Sequence, residues 1–263
     1  MELKFAVQEN LVPGNSLAEK WDMAAALGYA GLELRGGAEF RGRLPELKAA
    51  AAAGVVMPSV CVITDRFIGD FDAGRRAEAL DLMKTLLSCA AEIGGKGVVT
   101  PAAYGLHSNR LPPFKAPRGP AEDRSILIDM LGQLGDHAAA EGVTVYFEPL
   151  NRYEDHMVNT LAQGCELLAA LNHPQVRLMA DIFHMSIEEA DLAASLRSAG
   201  SWVAHVHLAD SNRLEPGQGH TDFSACFAAL REIGFDGYCA LECMLRQPPA
   251  LALRDAINTL RAA

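Results

Sequence analysis

The chain has 263 residues, half of them hydrophobic, and a formal net charge of −10 at pH 7. This length accommodates one large α/β barrel or two small domains. The excess of acidic over basic residues, together with the lack of a run of basic residues, argues against a nucleic-acid-binding surface. No apolar run approaches the roughly 18 residues of a membrane-spanning helix, so we expect neither a nucleic-acid nor a membrane partner.

Six cysteines are scattered along the chain without a CxxC spacing. Such a distribution in a long chain indicates reduced thiols. The first residues, MELKFAVQENLV, do not place a basic region before an apolar one, so we expect no signal peptide. These features predict a cytoplasmic protein.

Short β-like runs alternate with longer helical runs along the whole sequence. Strands are predicted at 4–9, 31–35, 58–63, 95–101, 144–150, 176–182, 203–209 and 238–244. Helices are predicted at 16–28, 44–54, 74–94, 121–142, 160–172, 186–200, 222–234 and 249–263, and most end at a glycine suited to a C-cap.

Eight strand–helix units of about 30 residues each predict an α/β fold, a single (β/α)8 TIM barrel forming one domain over residues 1–263. A doubly wound open sheet is the alternative. It is disfavoured because the first strand leads into QENLVPGNS, which is not a Gly-rich phosphate-binding turn.

A proline-rich segment, RLPPFKAPRGP (110–120), follows the fourth predicted strand. Its position predicts a long loop at the carboxyl-terminal face, where barrel active sites are built, and it is either a lid or a plain surface loop. Lys115 and Arg118 would suit an anionic substrate, but we favour a solvated basic loop.

The last four strands each end in a residue that can bind a metal ion. These residues are Glu148, Asp181, His207 and Glu242, about one βα unit apart. The carboxyl ends of parallel barrel strands meet at one mouth, so the four side chains are expected to converge. Three carboxylates and an imidazole suit Mn²⁺, Mg²⁺ or Co²⁺, and Zn²⁺ is less indicated without a cysteine ligand.

Other polar residues lie close to these strand ends. His205 shares a face with His207 one layer deeper, so we expect it to support the site from the core. His184, Arg213 and Glu154 are candidates for substrate contacts, the alternatives being a capping or core histidine, an exposed salt bridge and a surface charge. His220 is expected to be a loop residue, with Thr221 or Asp222 capping the next helix.

Four segments, EPLNR (148–152), DIFHM (181–185), HVHLADSNRLEPGQG (205–219) and LEC (241–243), carry a family resemblance. They resemble the xylose-isomerase-like sugar isomerase and epimerase barrels, in motif above all the ketose 3-epimerases of the tagatose/psicose type and the hydroxypyruvate isomerases.

The resemblance implies one divalent metal ion, with Mn²⁺ as the first choice, held by the four strand-end residues. It implies that Glu148 and Glu242 also transfer the proton, through a metal-stabilised enediolate of a ketose or small keto-sugar. His184 and Arg213 would then contact the substrate. Relatives of this kind form dimers and tetramers, so a homodimer or homotetramer is expected.

Three other functions compete with this interpretation. An inosose-type dehydratase could use the same metal site, and a non-catalytic metal- or ligand-binding barrel is a different class. An endonuclease-IV-type nuclease is disfavoured, because Asn212 and Leu214 stand where that family has an aspartate and a histidine. The strand-8 continuation ECMLR departs from the family pattern, so the substrate, free or phosphorylated sugar or keto acid, stays open.

Overall fold

The computed structural model describes residues 2–108 and 115–263, and within them eight parallel strands form a closed barrel. The strands are β1 (Lys4–Gln8), β2 (Gly31–Gly36), β3 (Ser59–Val62), β4 (Gly97–Pro101), β5 (Thr144–Glu148), β6 (Val176–Asp181), β7 (Val203–Leu208) and β8 (Tyr238–Leu241). β1 pairs with β2 on one side and with β8 on the other, which closes the sheet. The predicted (β/α)8 barrel is confirmed.

Nine α-helices in the described residues surround the barrel. They are α1 (Leu17–Leu27), α2 (Leu44–Ala52), α3 (Ala73–Glu92), α4 (Pro120–Glu141), α5 (Leu161–Leu171), α6 (Ile182–Glu188), α7 (Leu192–Ala199), α8 (Phe223–Glu232) and α9 (Pro249–Ala262). Helices α1 and α4 end at Gly28 and Gly142, whose φ angles of 100° and 70° lie in the left-handed region that glycine adopts without strain.

The prediction of a single helix at 186–200 is wrong. The chain forms α6 and α7 instead, and the backbone of Glu189 between them is extended. Asp191 accepts a hydrogen bond from the backbone N–H of Ala194 and so starts a new helix. The cap formed by the Asp191 side chain therefore begins a second helix within a segment whose residues favour a helix throughout.

The barrel interior has an apolar group of residues beside a polar one. Cys61, Val99, Tyr146 and Met179, from β3 to β6, form a separate buried cluster. The alternate residues of these strands, such as Val60, Val98 and Leu178, belong to the larger core shared with the helices. The Tyr146 ring stacks on the imidazole of His205 at 5.0 Å, so this cluster packs directly against the buried polar residues.

The loop between β4 and α4 is only partly described, since residues 110–114 of the proline-rich segment lie outside the described ranges. Arg118 corrects the expectation of a solvated basic loop. Its guanidinium donates to Asp123 Oδ1 at 2.7 Å, to the Asp70 carbonyl at 2.8 Å and to the Gly69 carbonyl at 2.5 Å. The side chain is only 9% exposed, so Arg118 ties this segment to the loop after β3.

All six cysteines are free thiols, as their spacing predicted. Over the two described ranges, every helix is too short or too polar to cross a bilayer.

Candidate active site

The four predicted metal ligands meet at the carboxyl-terminal mouth of the barrel. Glu148 and Asp181 are the last residues of β5 and β6, His207 is next to last in β7, and Glu242 directly follows β8. One oxygen or ring nitrogen from each lies within 4.8 Å of the others. Since the set combines hard oxygen donors with one imidazole at short range, its chemistry and spacing fit a single divalent cation.

His207 is completely buried and its two ring nitrogens face different carboxylates. Nδ1 lies 2.9 Å from Glu242 Oε2 and 3.9 Å from Asp181 Oδ2, whereas Nε2 lies 2.8 Å from Glu33 Oε1. Among the described residues, neither nitrogen makes a hydrogen bond of normal geometry. A metal-binding histidine typically turns one nitrogen to the ion and the other to a carboxylate, and His207 is placed to do so, with Nε2 on Glu33 and Nδ1 toward the four-residue cluster.

Glu33, on β2, was missed by the sequence analysis. Its buried carboxylate lies 2.8 Å from His205 Nε2 and accepts hydrogen bonds from Ser59 Oγ at 2.6 Å and Gln8 Nε2 at 3.2 Å. Burial alone would raise the pKa of Glu33, but His207 and His205 bring it well below the usual value. Glu33 is therefore an ionised group beneath the site that holds both histidines.

Arg213 reaches the same carboxylates from the loop after β7. Its two terminal nitrogens donate to Asp181 Oδ2 at 2.5 Å and to Glu242 Oε2 at 2.6 Å. The guanidinium lies 4.8 Å over the ring of Phe183. The φ angle of Arg213 is 62°, a left-handed conformation that is costly for this residue type. Arg213 thus forms a bridged, largely buried ion pair rather than an exposed one.

His184 lies beside Glu148, just inside α6. Its Nδ1 accepts a hydrogen bond from the Asn151 backbone N–H at 3.3 Å, and its Nε2 lies 3.6 Å from Glu148 Oε1. Burial lowers the pKa of His184 to about 4, so the ring is neutral with its proton on Nε2. Glu154 Oε2 lies 3.5 Å from Nδ1, so Glu154 belongs to the same group of residues.

The two glutamates predicted to transfer the proton have opposite electrostatic environments. Burial raises the pKa of Glu148 well above its usual value. Burial also acts on Glu242, but His207 and Arg213 outweigh it and hold the pKa of that carboxyl below its ordinary value. A pair of carboxyls with separated pKa values can supply an acid and a base.

His220 lies exposed, away from the cluster, as expected. The cap of α8 is Asp222, one of the two candidates, because its side chain accepts from the Ala225 N–H at 2.9 Å. Asn151 is a further member of the site that the sequence analysis did not find. It lies within EPLNR, so its signal was the motif itself.

A cavity of about 520 Å³ opens above the four-residue cluster. Its lining from β5 to β8 and the following loops contains the three carboxylates, one imidazole and one of the two guanidinium groups of the lining, namely Glu148, Glu154, Glu242, His184 and Arg213. Its lining from β2 to β4 is mostly apolar. The cavity can therefore hold a ligand whose polar part contacts the carboxylates and whose remaining part contacts the mostly apolar lining from β2 to β4.

Comparisons with known proteins agree with this fold. The family model described as a xylose isomerase-like TIM barrel matches residues 21–263. The 3-dehydro-D-guloside 4-epimerase of Escherichia coli K12 is 38% identical over 261 residues, 98% of this chain and 99% of that protein. The L-ribulose 3-epimerase of Mesorhizobium japonicum is 30% identical over 195 residues, which cover 73% of this chain and 61% of that protein.

Two solved structures extend the comparison. The crystal structure of E. coli 3-keto-D-glucoside 4-epimerase in its apo form superposes with a TM-score of 0.94 at 38% identity and full coverage of both chains. D-psicose 3-epimerase from Clostridium cellulolyticum H10 gives a TM-score of 0.84 at 20% identity over 99% of each chain, which shows a shared fold. The chain therefore belongs to the xylose isomerase-like TIM barrel family, as its motifs indicated, and is an epimerase of that family.

Proposed function

We propose that the protein is a divalent-metal-dependent epimerase that inverts a carbinol carbon next to the ketone of a sugar. The observation that carries this proposal is the convergence of Glu148, Asp181, His207 and Glu242 within 4.8 Å of one another. Among keto-sugars we favour a 3-keto glycoside with inversion at C4, because the relative that aligns over nearly the whole chain is a 3-dehydro-D-guloside 4-epimerase.

The four clustered residues would hold one ion, and we favour Mn²⁺ because three carboxylates and one imidazole suit it. When bound, such an ion would act as a Lewis acid that polarises the sugar ketone and makes the neighbouring C–H more acidic. Nδ1 of His207 is the nitrogen available to the ion, because Nε2 faces Glu33.

Inversion requires one group to remove a proton from a carbon and another to return it from the opposite face. Glu148 and Glu242 come from β5 and β8, so they approach the cavity from different sides. We assign Glu242 as the group that takes the proton in one direction, because Arg213 donates to its carboxylate at 2.6 Å and favours its ionised form. Glu148 would return a proton from the other face.

The remaining polar side chains would orient the sugar. Neutral His184 carries its proton on Nε2, beside Glu148, and can donate to a sugar oxygen. Arg213 can hold negative charge that develops on the substrate oxygens. Glu154 is 3.5 Å from His184 and would accept from a sugar hydroxyl.

The test is a screen of metal-stripped protein reloaded with Mn²⁺, run in D₂O against 3-keto glycosides, free ketoses and hydroxypyruvate. The proposal expects deuterium at C4 of a 3-keto glycoside together with the C4 epimer, both read by NMR. An unsaturated or diketo product would identify a dehydratase instead. Absence of C–H exchange and of new products with every compound would overturn the proposal.

A further inference from the structure

The cavity is built from two different surfaces. One, described above, carries the ionisable groups of β5 to β8. The other, here called the β2–β4 wall, is lined by Arg35, Cys61, Val62, Ile63, Thr64, Phe67, Pro101 and Tyr104. Of the described lining residues, those of the β2–β4 wall include no carboxylate and no imidazole, so this wall is suited to binding rather than to proton transfer.

Two large side chains of the β2–β4 wall are unusually exposed. Tyr104 is 56% and Ile63 is 42% exposed, and both line the cavity. Phe67 is buried and lines the same wall. Exposed apolar side chains grouped over a cavity, rather than scattered singly, mark a surface that a ligand covers.

The geometry of a pyranose ring relates the two surfaces. In a 3-keto glycoside the reacting atoms are C3 and C4, and C1 lies across the ring from C4. If the C3–C4 edge meets the carboxylates of Glu148 and Glu242, C1 and its substituent point away from them, toward the β2–β4 wall. The cavity volume of about 520 Å³ is in the range of pockets that hold ligands larger than one sugar ring.

We propose that the β2–β4 wall is a binding subsite for the aglycone, the group joined to C1 of the substrate, and that it favours an apolar or aromatic aglycone. Tyr104 and Ile63 form its contact surface. The subsite rests on the proposed function, because a free ketose has no aglycone to place there. With this subsite, the preferred substrate is a glycoside that carries a bulky apolar group rather than a free keto-sugar.

The kinetic test compares methyl and 4-nitrophenyl 3-keto-glucosides. In the unmodified enzyme KM should be about tenfold lower for the aryl compound, since a stacked aromatic contact is worth about one factor of ten. Tyr104→Ala and Ile63→Ser should raise KM for the aryl compound and leave KM for the methyl compound and both kcat values unchanged. Tyr153→Ala is the matched control, because Tyr153 is 49% exposed but does not line the cavity.

A binding measurement separates this subsite from the proposed reaction. 4-Nitrophenyl β-D-glucopyranoside has no ketone, so its titration by calorimetry reports binding without turnover. We expect binding that Tyr104→Ala weakens by about tenfold and Tyr153→Ala retains.

Equal KM values for the two glycosides in the unmodified enzyme would overturn the subsite and leave the epimerase proposal intact. A change of sedimenting mass in Tyr104→Ala would also overturn it, by identifying the wall as a subunit interface. Binding of the inert glycoside without turnover of any keto-sugar would instead refute the proposed function.

Discussion

The Glu33 carboxylate lies 2.8 Å from Nε2 of His207, and the same carboxylate lies 2.8 Å from Nε2 of His205. Nε2 of His207 faces the carboxylate of Glu33, so Nδ1 is the nitrogen that faces Asp181 and Glu242 at the mouth. A residue on β2 therefore determines which nitrogen of a residue on β7 is presented to the mouth.

Glu33→Gln should weaken Mn²⁺ binding by about 10–100-fold, because a neutral amide no longer fixes the ring of His207 or increases its basicity. Isothermal titration of metal-stripped protein measures the change. Glu9→Gln is the matched control, since Glu9 is also a buried glutamate but pairs with Arg43 at 2.8 Å, away from the histidines. Equal losses in both variants would show a general effect of removing a buried charge.

Glu242→Gln should slow exchange with D₂O at the C–H of the epimer from which Glu242 takes the proton, because an amide cannot accept it. General-base removal typically costs about 10²–10⁴-fold in rate. NMR of the residual substrate gives the exchange rate independently of product formation. Exchange at the unmodified rate would exclude Glu242 as the base.

Arg213→Ala should destabilise the metal-free protein by about 2–3 kcal/mol, somewhat less than is typical for a fully buried pair, because the guanidinium is 22% exposed. The reason is that Asp181 and Glu242 lose the cation that bridges them. Added Mn²⁺ should restore part of the loss, since it would neutralise the same carboxylates.

Thermal unfolding in EDTA and in Mn²⁺ measures both effects. Arg197→Ala is the control, because Arg197 forms an exposed pair with Glu232 and its removal should change little in either condition. An equal loss of stability for Arg213→Ala with and without Mn²⁺ would contradict the expectation that Arg213 and Mn²⁺ neutralise the same carboxylates.

Asp155 should make the protein less stable as the pH rises. Burial raises its pKa from an ordinary 3.8 to about 7, although backbone N–H groups of His156 and Met157 oppose the shift. The folded state therefore binds more protons than the unfolded state between these pH values. The contribution of the Asp155 carboxyl to the free energy of unfolding is full below about pH 4 and lost by about pH 7.

Asp155→Asn should remove this dependence, so its melting temperature relative to the unmodified protein should increase between about pH 5 and about pH 8. Asp210→Asn should instead lower the melting temperature by a constant amount over this range, because the pKa of Asp210 lies below it in both the folded and the unfolded state. Backbone N–H groups of Ser211 and Thr221 outweigh burial and lower the pKa of Asp210, so the ionised form stabilises the fold. A flat difference for Asp155→Asn across this range would disprove the assignment.

The barrel and the strand-end residues could be predicted because their signals are local. Each of Glu148, Asp181 and His207 ends an apolar run, and the runs recur at the spacing of one βα unit. Carboxyl ends of parallel barrel strands share one face, so the convergence follows from the topology once the strands are recognised.

Glu33, Arg118 and the break before α7 could not be predicted in the same way. Glu33 had a signal, a carboxylate between Leu32 and Leu34 in a strand buried on both faces, but its partners lie far away in sequence. Arg118 bonds carbonyls 48 and 49 residues away, which local patterns do not reveal. The break depends on the cap formed by Asp191, within a segment whose helical pattern continues across it.

The contact between Glu33 and His205 joins residues 172 positions apart, from strands that are not neighbours in the sheet. It can form only after the first and last quarters of the chain have come together inside the closed barrel. Contacts of such long sequence separation carry a large loop-closure cost and slow folding. Tight metal binding would thus be a property of the completed barrel, and metal uptake during refolding would report the moment of its closure.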